Sequence, residues 1–482
     1  MTETSTQPPA PTESRVEREH SLQIGAQTLR YRASAGTLLL REPELKDGTV
    51  QGEPVKAEVF YTAYTLLDAP PNRPILFSLN GGPGSSSVWL HLGLLGPQRV
   101  HSDEMGDCGP PPYALVDNED SLLTHADLVF IDPVGTGFSR MVEGQKATEY
   151  HEVQRDLDAI ADFMRRYLTR EGRWGSPKYL LGESYGSTRA AALARQLQEK
   201  CELMLNGVVL VSPAMDFQTF CFDRGNDLPY ICFLPTYAAT AWYHQALAPA
   251  LQALGVEALI ERARAFALGP YASALLQGDR LDPAQAQQIA AQAAELTGLD
   301  ADYLLRCHLR VDDERFFKQL LRQHGRVVGR LDSRFSGHDR DDVGEKAEGD
   351  PSYTNLAGAY RVGLERTLHE RLGWMGDSPY HLLAPLYKSW SYKGYENKYL
   401  HTGELLRQAL HHQPSLRVYV ACGQFDLATP PDAALHSLAH MALRPHLKGQ
   451  IRMAQFPAGH MMYVHAASRR RLSNDLRAFI SD

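Results

Sequence analysis

The sequence predicts an α/β fold in which a mostly parallel central sheet carries an inserted helical cap. Two patterns support this prediction. Early in the chain, short apolar strands alternate with amphipathic helices, as a parallel sheet covered on both faces requires. After Pro213 the pattern becomes almost wholly helical, and strand-like sequence returns only near the end. The expected division is a disordered tail (1–19), a first core part (20–213), a helical insertion (214–385) and a second core part (386–482).

The individual elements follow from period-two and helical spacing of apolar residues. We expect strands at 28–32, 36–40, 57–66, 73–79, 127–132, 178–181, 207–211, 416–421 and 450–456. We expect core helices at 149–170, 188–200 and 467–480, and further helices at 234–254, 256–268, 283–297, 314–323, 356–372 and 401–411. The charged, glycine-containing stretch 330–350 is predicted to be a mobile loop.

Composition limits the functional classes. The chain has 482 residues, 43% of them hydrophobic, so it can bury a large core. Its 49 basic and 57 acidic residues give a net charge of −8, which provides no reason to expect a nucleic acid or an anionic membrane as partner. No apolar run approaches the roughly 20 residues that span a bilayer. We expect no cofactor, and the oligomeric state stays open, a homodimer being one option.

The cysteines and the polar start favour a cytoplasmic protein. The six cysteines are scattered and form no C-x-x-C pair, which is typical of free thiols rather than of disulfides or zinc ligands. Residues 1–19 lack the apolar core of a signal peptide. The aspartate-rich run 339–342 does not have the spacing of a calcium-binding EF-hand loop, so we expect a solvated loop and no metal site.

The stretch Gly182-Glu183-Ser184-Tyr185-Gly186 matches the G-x-S-x-G pattern of a nucleophile elbow. A strand-like segment precedes it and a helix-like segment follows it. Small residues on both sides allow a turn sharp enough to expose one hydroxyl above the end of a sheet. We therefore predict that Ser184 is a catalytic nucleophile.

A serine nucleophile needs a base, and the base needs an acid that orients it. Asp426 follows the expected strand 416–421, and His460 follows the expected strand 450–456 directly after a glycine. The order Ser184, Asp426, His460 is that of α/β-hydrolases. Asp432 is the alternative acid, and Asp426 could instead be a turn aspartate that binds its own backbone. The alternative histidines nearby are His436, His440, His446 and His465.

Acyl transfer also requires donors for the oxyanion of the tetrahedral intermediate. In the α/β-hydrolase plan, one donor is the amide after the nucleophile, here Tyr185, and the other comes from a loop after an early strand. Asn80-Gly81-Gly82 supplies that loop. The glycine-rich stretch 81–87 could also be read as a phosphate cradle, but it lacks the P-loop lysine and contains Pro83, which has no N–H.

Four blocks resemble the serine carboxypeptidases, which include lysosomal, vacuolar and plant enzymes. The blocks are Asn-Gly-Gly-Pro-Gly at 80–84, Asp-Pro-Val-Gly-Thr-Gly-Phe-Ser at 132–139, Gly-Glu-Ser-Tyr-Gly at 182–186 and Gly-His-Met at 459–461. They occur in the family's order. The resemblance implies an α/β-hydrolase core with a helical insertion over the site, and a triad of Ser184, Asp426 and His460.

The resemblance also implies a role for each residue around the serine. The backbone N–H groups of Gly82 and Tyr185 would form the oxyanion hole. Asn80, Gly81 and Glu183 would bind the free C-terminal carboxylate of a peptide. An ionised Glu183 would repel that carboxylate, so binding requires a protonated Glu183 and peptidase activity should fall above neutral pH.

The chain departs from the family pattern at several positions. Ser85 stands where the family usually has a cysteine that forms a disulfide with the insertion. Leu94 stands where the family commonly has a second glutamate bonded to the first. The segment 427–430, Leu-Ala-Thr-Pro, replaces the usual Cys-Asn after the catalytic acid. These features resemble a bacterial-type, intracellular branch of the family.

We therefore expect a serine-type carboxypeptidase that acts on peptides through an acyl-enzyme on Ser184. The first alternative is an esterase or acyltransferase that uses the same triad, since the triad and oxyanion hole serve any acyl group. The second is a catalytically silent binding protein on this fold. The sequence does not indicate which side chains the substrate pocket prefers.

Overall fold

A ten-stranded mixed sheet forms the centre of the molecule in a computed structural model that describes residues 11–376 and 378–482. The strand order is β1-β2-β5-β9-β6-β11-β12-β15-β16, and β10 pairs with β5. The strands are β1 (Arg15–Ile24), β2 (Gln27–Arg41), β3 (Glu44–Lys46), β4 (Thr49–Gly52), β5 (Val55–Leu66), β6 (Ile75–Leu79), β7 (Gln98–Val100), β8 (Leu115–Asp117), β9 (Asp127–Ile131), β10 (Arg140–Met141), β11 (Lys178–Glu183), β12 (Gly207–Val211), β13 (Val327–Val328), β14 (Ser336–Gly337), β15 (Arg417–Gly423) and β16 (Ile451–Phe456).

Helices cover the sheet and build the cap. They are α1 (Val88–Leu90), α2 (Val153–Arg170), α3 (Tyr185–Cys201), α4 (Leu228–Tyr243), α5 (Pro249–Gln252), α6 (Val256–Phe266), α7 (Ala272–Gln277), α8 (Pro283–Thr297), α9 (Ala301–Arg306), α10 (Asp313–Gln319), α11 (Pro351–Arg366), α12 (Gly403–His412), α13 (Pro431–Ala439), α14 (Pro445–Lys448) and α15 (Ala466–Ser481). Short π-helical segments continue α1 (His91–Leu95), α6 (Ala267–Tyr271) and α11 (Thr367–Leu372).

The central strands run parallel, as predicted. β9, β6, β11, β12, β15 and β16 pair in parallel in that order. Every residue of β6, β9, β11 and β12 is buried, which explains why β6, β9 and β12 are almost wholly apolar. Since parallel strands share one carboxyl edge, the loops after β6, β11, β15 and β16 meet there.

The start of the chain differs from the prediction. Residues 1–10 of the expected tail lie outside the described residues, but Arg15 to Glu19 belong to β1 and pair with β2. The sequence of β1 is polar because β1 is an edge strand whose side chains are mostly exposed. The two strands expected at 28–32 and 36–40 are one strand of 15 residues, β2. The small residues between them, Ala33 to Ala35, stay extended because β1 and β5 pair on both sides.

The insertion holds two parts that pack differently. Helices from α4 to α10 share their own apolar core, in which the rings of Tyr237 and Phe316 stack with centroids 3.9 Å apart. Helix α11 also lies within 214–385, yet its Leu356, Tyr360 and Leu364 pack into the core of the sheet. The helical cap is therefore shorter than the predicted insertion, because helical periodicity does not reveal which surface a helix covers.

The stretch 330–350, predicted to be a mobile loop, is partly built into the core. Asp332, Ser333 and Arg334 are buried, and β14 (Ser336–Gly337) pairs antiparallel with β13 (Val327–Val328). The solvated loop expected at 339–342 is also anchored, since Asp339 pairs with the buried Lys318. Some of the charges that suggested a solvated loop are used in the buried pairs Asp332–Arg334 and Asp339–Lys318, whereas Arg340 and Asp342 are exposed.

In the part of the chain that the structure describes, no helix is long and apolar enough to cross a membrane. All six cysteines lie in that part, and each is a free thiol.

Candidate active site

Ser184 occupies a sharp turn between β11 and α3. Its backbone has φ 59° and ψ −127°, a conformation that residues other than glycine rarely adopt. The flanking glycines are required by close backbone approaches. A Cβ at Gly182 would lie 2.0 Å from the carbonyl oxygen of Gly186, and one at Gly186 would lie 2.4 Å from that of Leu79. The local sequence therefore produces the elbow that the G-x-S-x-G pattern predicts.

The acid and the base meet at the carboxyl ends of β15 and β16. His460 Nδ1 and Asp426 Oδ2 are 2.8 Å apart, and both side chains are buried. The other carboxylate oxygen, Oδ1, accepts hydrogen bonds from the backbone N–H groups of Ala428 and Thr429 at 2.8 and 3.0 Å. Asp426 thus combines the turn-aspartate role with the contact to the histidine.

The carboxylate beside His460 changes its acidity. Burial acts to lower the pKa of His460, but the charge and hydrogen bond of Asp426, with a smaller contribution from Glu183, outweigh burial and raise that pKa above its ordinary value. With Nδ1 bonded to Asp426, the free Nε2 can serve as the base.

The alternative acid and the nearest alternative histidine have other partners. Asp432 forms an ion pair with Arg264, whose Nη2 donates to Oδ2 at 3.1 Å. His465 Nδ1 lies 2.8 Å from the hydroxyl of Ser468.

Two further side chains fix this pair, and sequence reasoning did not identify them. Thr429 Oγ1 lies 2.9 Å from Asp426 Oδ2 and 3.2 Å from His460 Nδ1, and it donates to the carbonyl of Ser212. The Ser212 hydroxyl in turn donates to the carbonyl of His460 at 2.7 Å. The spacing Asp-x-x-Thr is a local signal that could have identified Thr429, whereas nothing near Ser212 indicates its partner.

Ser184 and His460 line one cavity of about 570 Å³. Gly81, Gly82 and Glu183 also line it, so the structure brings most of the predicted site residues to one place. Its remaining walls come from both the core and the cap, and include Trp89, Arg330, Tyr353, Tyr387 and Met461.

The loop 80–83 lies directly against the elbow. A Cβ at Gly81 would be 2.5 Å from the amide nitrogen of Tyr185, so only glycine fits there. Gly82 has φ +105°, which favours glycine for conformational reasons. The loop therefore runs directly beside the amide of Tyr185.

A buried arginine holds this loop in place. Arg189 donates to the carbonyls of Asn80 at 2.9 Å and Pro83 at 2.8 Å, and it pairs with Asp156 at 2.7 Å. Its guanidinium also lies over the ring of Tyr185. Sequence reasoning missed Arg189 because an arginine one turn into a helix gives no sign that it will be buried.

Glu183 is buried beside the nucleophile. Asn80 Nδ2 donates to its Oε1 at 2.9 Å, while Asn80 Oδ1 accepts from the amide of Leu90. Burial raises the pKa of Glu183 to about 7, although His460, Tyr463 and Asn80 act to lower it. The carboxyl group is therefore protonated in a large fraction of molecules at neutral pH.

The departures from the family pattern have visible consequences. Leu94 is fully buried in an apolar cluster and offers no polar group to Glu183. Ser85 accepts a hydrogen bond from Trp89 Nε1 at 2.7 Å. Where a disulfide would tie this loop to the insertion, backbone hydrogen bonds do so instead, from Ser86 to Leu382 at 3.0 Å and from Ala384 to Gly84 at 2.8 Å.

Part of the chain matches a known protein family. The model of the family described as serine carboxypeptidase matches residues 44–225. Over this stretch, which is less than half of the chain, the protein is similar to that family. Similar curated relatives include serine carboxypeptidase-like 2 of Arabidopsis thaliana, 29% identical over 198 residues, and serine carboxypeptidase-like 5, 30% identical over 181 residues. These alignments cover 39% and 35% of this chain and 43% and 40% of the relatives, so the chain matches less than half of their length.

A solved structure extends the likeness to the whole fold. Kex1(delta)p, described as a prohormone-processing carboxypeptidase from Saccharomyces cerevisiae, superposes with a TM-score of 0.55 at 16% identity, over 93% of this chain and 91% of that one. The fold is that of the α/β-hydrolases. The matched stretch 44–225 contains the loop at 80–84 and the elbow at 182–186, whereas Asp426 and His460 lie outside it.

The site contains no evident metal centre. Across residues 11–376 and 378–482, no group of three or more His, Cys, Asp or Glu side chains could hold a metal ion.

Proposed function

We propose that the protein is a serine carboxypeptidase that hydrolyses the last peptide bond of substrates with a free C-terminal carboxylate. The observation that carries this proposal is the buried Glu183–Asn80 pair beside Ser184, in the same cavity as His460. Ser184 and His460 support a hydrolase, and the protonated acid next to them supports recognition of a carboxylate.

The geometry supports an acyl-enzyme mechanism. His460 accepts the Ser184 hydroxyl proton through Nε2 as Oγ attacks the scissile carbonyl, and Asp426 stabilises the resulting imidazolium. The N–H groups of Gly82 and Tyr185 bind the oxyanion. The C–N bond then breaks, and His460 gives its proton to the leaving amine. Water, deprotonated by His460, hydrolyses the ester on Ser184 and releases the shortened peptide.

Glu183 would provide the exopeptidase specificity. As a carboxylic acid it can donate a hydrogen bond to the substrate carboxylate, and Asn80 fixes its orientation through Oε1. An internal peptide segment has no carboxylate to bind at this position.

The test compares one peptide in two forms, with a free carboxylate and with a C-terminal amide, read by mass spectrometry. We expect stepwise loss of C-terminal residues from the free peptide only, and no loss with Ser184→Ala. Equal cleavage of the two forms would contradict the carboxypeptidase proposal and leave a hydrolase of other specificity.

One observation favours a second candidate, an esterase or acyltransferase. Leu94 gives Glu183 no acidic partner, so the carboxylate site differs from the family pattern. An activated ester without a carboxylate would then be the better substrate. Hydrolysis of such an ester together with an inert free peptide would support this candidate.

We also propose a cytoplasmic location, supported by six free thiols, which persist in reducing compartments. Fractionation of the source cells and immunoblotting test this, and recovery from a secreted fraction would contradict it.

A further inference from the structure

A short segment of the chain, residues 330–335, lies between the loop that carries Asp426 and the loop that carries His460. We call this segment the strap. It precedes α11 and lies outside the part of the chain that the family model matches. Arg330 and Leu331 also line the active-site cavity.

Three hydrogen bonds join the strap to the acid loop. The amide of Leu427 donates to the carbonyl of Arg330 at 3.1 Å. Ser333 donates twice to the carbonyl of Phe425, from its backbone N–H and from its hydroxyl, both at 3.0 Å. The residues on both sides of Asp426 are therefore bonded to the strap.

The strap also holds the backbone of His460. The amide of His460 donates to the carbonyl of Leu331 at 2.6 Å, and the amide of Gly459 donates to Asp332 Oδ2 at 3.0 Å. The approach is so close that a Cβ at Gly459 would lie 2.4 Å from Asp332 Cβ. The N–H of Phe425 also donates a hydrogen bond to the carbonyl of Ala458, which joins the two loops directly, but the N–H of His460 itself bonds to the strap.

The strap is rigidly anchored. Asp332 forms a buried two-pronged ion pair with Arg334, at 2.9 Å from Nε to Oδ1 and 2.7 Å from Nη2 to Oδ2. On the cap side, the hydroxyls of Ser333 and Thr240 are 2.6 Å apart, and His244 Nε2 lies 2.6 Å from the carbonyl of Ser333. The cap helix α4 is thus connected through Ser333 to the loop that carries Asp426, and Leu331 and Asp332 of the same strap bond to the loop that carries His460.

We propose that Asp332 is a positioning residue that, through the strap, holds the imidazole of His460 against Asp426. The inference rests on the proposed catalytic role of these two residues. A displacement of about 1 Å in a catalytic group can lower the rate by up to about 100-fold. Contacts that fix the base relative to the acid should therefore affect kcat more than they affect KM.

The test removes the strap's ion pair without leaving a lone buried charge, in the double variant Asp332→Asn/Arg334→Met. We expect kcat to fall by about 10- to 100-fold with little change in KM. The matched control is Asp120→Asn/Arg469→Met. Asp120 is likewise buried and pairs with the buried Arg469 at 2.9 Å, but this pair joins the segment before β9 to α15, outside the strap.

A second readout does not depend on peptidase activity. The proton between His460 Nδ1 and Asp426 should give a far-downfield proton resonance, whose titration reports the pKa of the imidazole. Asp426, Glu183 and Arg330 face His460, while Arg334, His244 and His465 lie near Asp332. We expect this pKa to fall in the double variant, since contact with Asp426 is what raises it, and to stay unchanged in the control.

The outcomes separate the two proposals. If the wild-type protein does not hydrolyse peptides, the proposed function fails. The His460 resonance, compared between the wild type and the Asp332→Asn/Arg334→Met variant, still decides the inference. An unchanged resonance and kcat in the double variant, or an equal loss in the control, would overturn the inference.

A second variant, Ser333→Ala, removes the hydroxyl's bonds to Phe425 and Thr240 without removing a charge. If the double variant does not fold, a normal kcat and resonance in Ser333→Ala would overturn the inference, and a loss in both would support it.

Discussion

Ser184 shows how a single residue combines function with backbone strain. Its φ of 59° is imposed by the turn between β11 and α3, and it costs on the order of 1 to 3 kcal/mol for a residue that is not glycine. The strain is compatible with the fold because neighbouring glycines allow the backbone of the elbow and the loop 80–83 to pack closely.

We therefore predict that Ser184→Gly is more stable than Ser184→Ala by about 1 kcal/mol, because relief of strain exceeds the entropic cost of glycine, about 0.5 to 1 kcal/mol. Both variants lack the nucleophile, so both should be inactive. Chemical denaturation of the two variants measures the difference. A glycine variant less stable than the alanine variant would show that the turn is unstrained.

If Glu183 binds the substrate carboxylate, as proposed, its burial gives the activity a pH dependence of a definite direction. Its pKa of about 7 means that the carboxyl group loses its proton as pH rises through neutrality, and the resulting carboxylate repels the substrate carboxylate. His460 acts in the opposite direction, because it must lose its proton to act as a base and its pKa is raised.

We expect kcat/KM for a peptide with a free C-terminus to rise and then fall, with the fall centred at about pH 7. Glu183→Gln keeps a hydrogen-bond donor that cannot ionise, so it should abolish the fall and retain the rise. Glu295→Gln, on the exposed face of α8, is the control and should leave the profile unchanged. A flat wild-type profile between about pH 5 and 8 would contradict carboxylate binding by Glu183.

At the scale of elements, a neighbouring helix holds the loop 80–83, which we propose to supply an oxyanion donor. Arg189 on α3 binds two carbonyls of the loop and the carboxylate of Asp156 on α2. A guanidinium can bind these partners at once because its donors point in fixed, separate directions. A lysine would keep the charge beside Asp156 but could not reach both carbonyls in the same geometry.

Arg189→Lys is therefore expected to lower kcat by about tenfold or more, since a displaced loop misplaces an oxyanion donor. Steady-state kinetics on a peptide or an activated ester measures this. Arg469→Lys is a matched control, because Arg469 is also buried and paired with an aspartate, Asp120, at 2.9 Å, but lies on α15. Equal losses in both variants would mean that Arg189 acts only through stability.

Prediction of elements succeeded where local pattern and environment agreed. β12 and α8 have the predicted bounds, because one is a wholly buried strand and the other begins with an Asp-Pro cap. β1 was missed and β2 was divided, because their extended conformation depends on pairing with each other. The strap was taken for a mobile loop because its charged residues, Asp332 and Arg334, satisfy each other only in the folded state.

For the molecule as a whole, hydrogen bonds and packing, rather than disulfides, join the cap to the core. The six cysteines, all within the described residues, are unpaired. The strap connects the two parts, since Ser333 contacts Thr240 and His244 on the cap side and the carbonyl of Phe425 on the core side.

We predict that titration of the unfolded protein without reductant finds six thiols per chain, and that a reductant changes neither Tm nor activity. Protein pretreated with reductant and then desalted is the reference. Fewer thiols in the untreated sample, or a Tm that falls on reduction, would reveal a disulfide.

The amino-acid sequence determined by itself the elbow, the order of Ser184, Asp426 and His460, and the glycine loop at 80–82. Each of these depends on a short stretch in which strand, turn and helix preferences act locally. Only the tertiary structure decided how they are held. Arg189 lies 109 residues from Asn80, and Ser333 lies 92 residues from Phe425. No local sequence pattern predicts such partners. Burial strengthens their hydrogen bonds, and that burial exists only when the sheet, the cap and the strap are assembled.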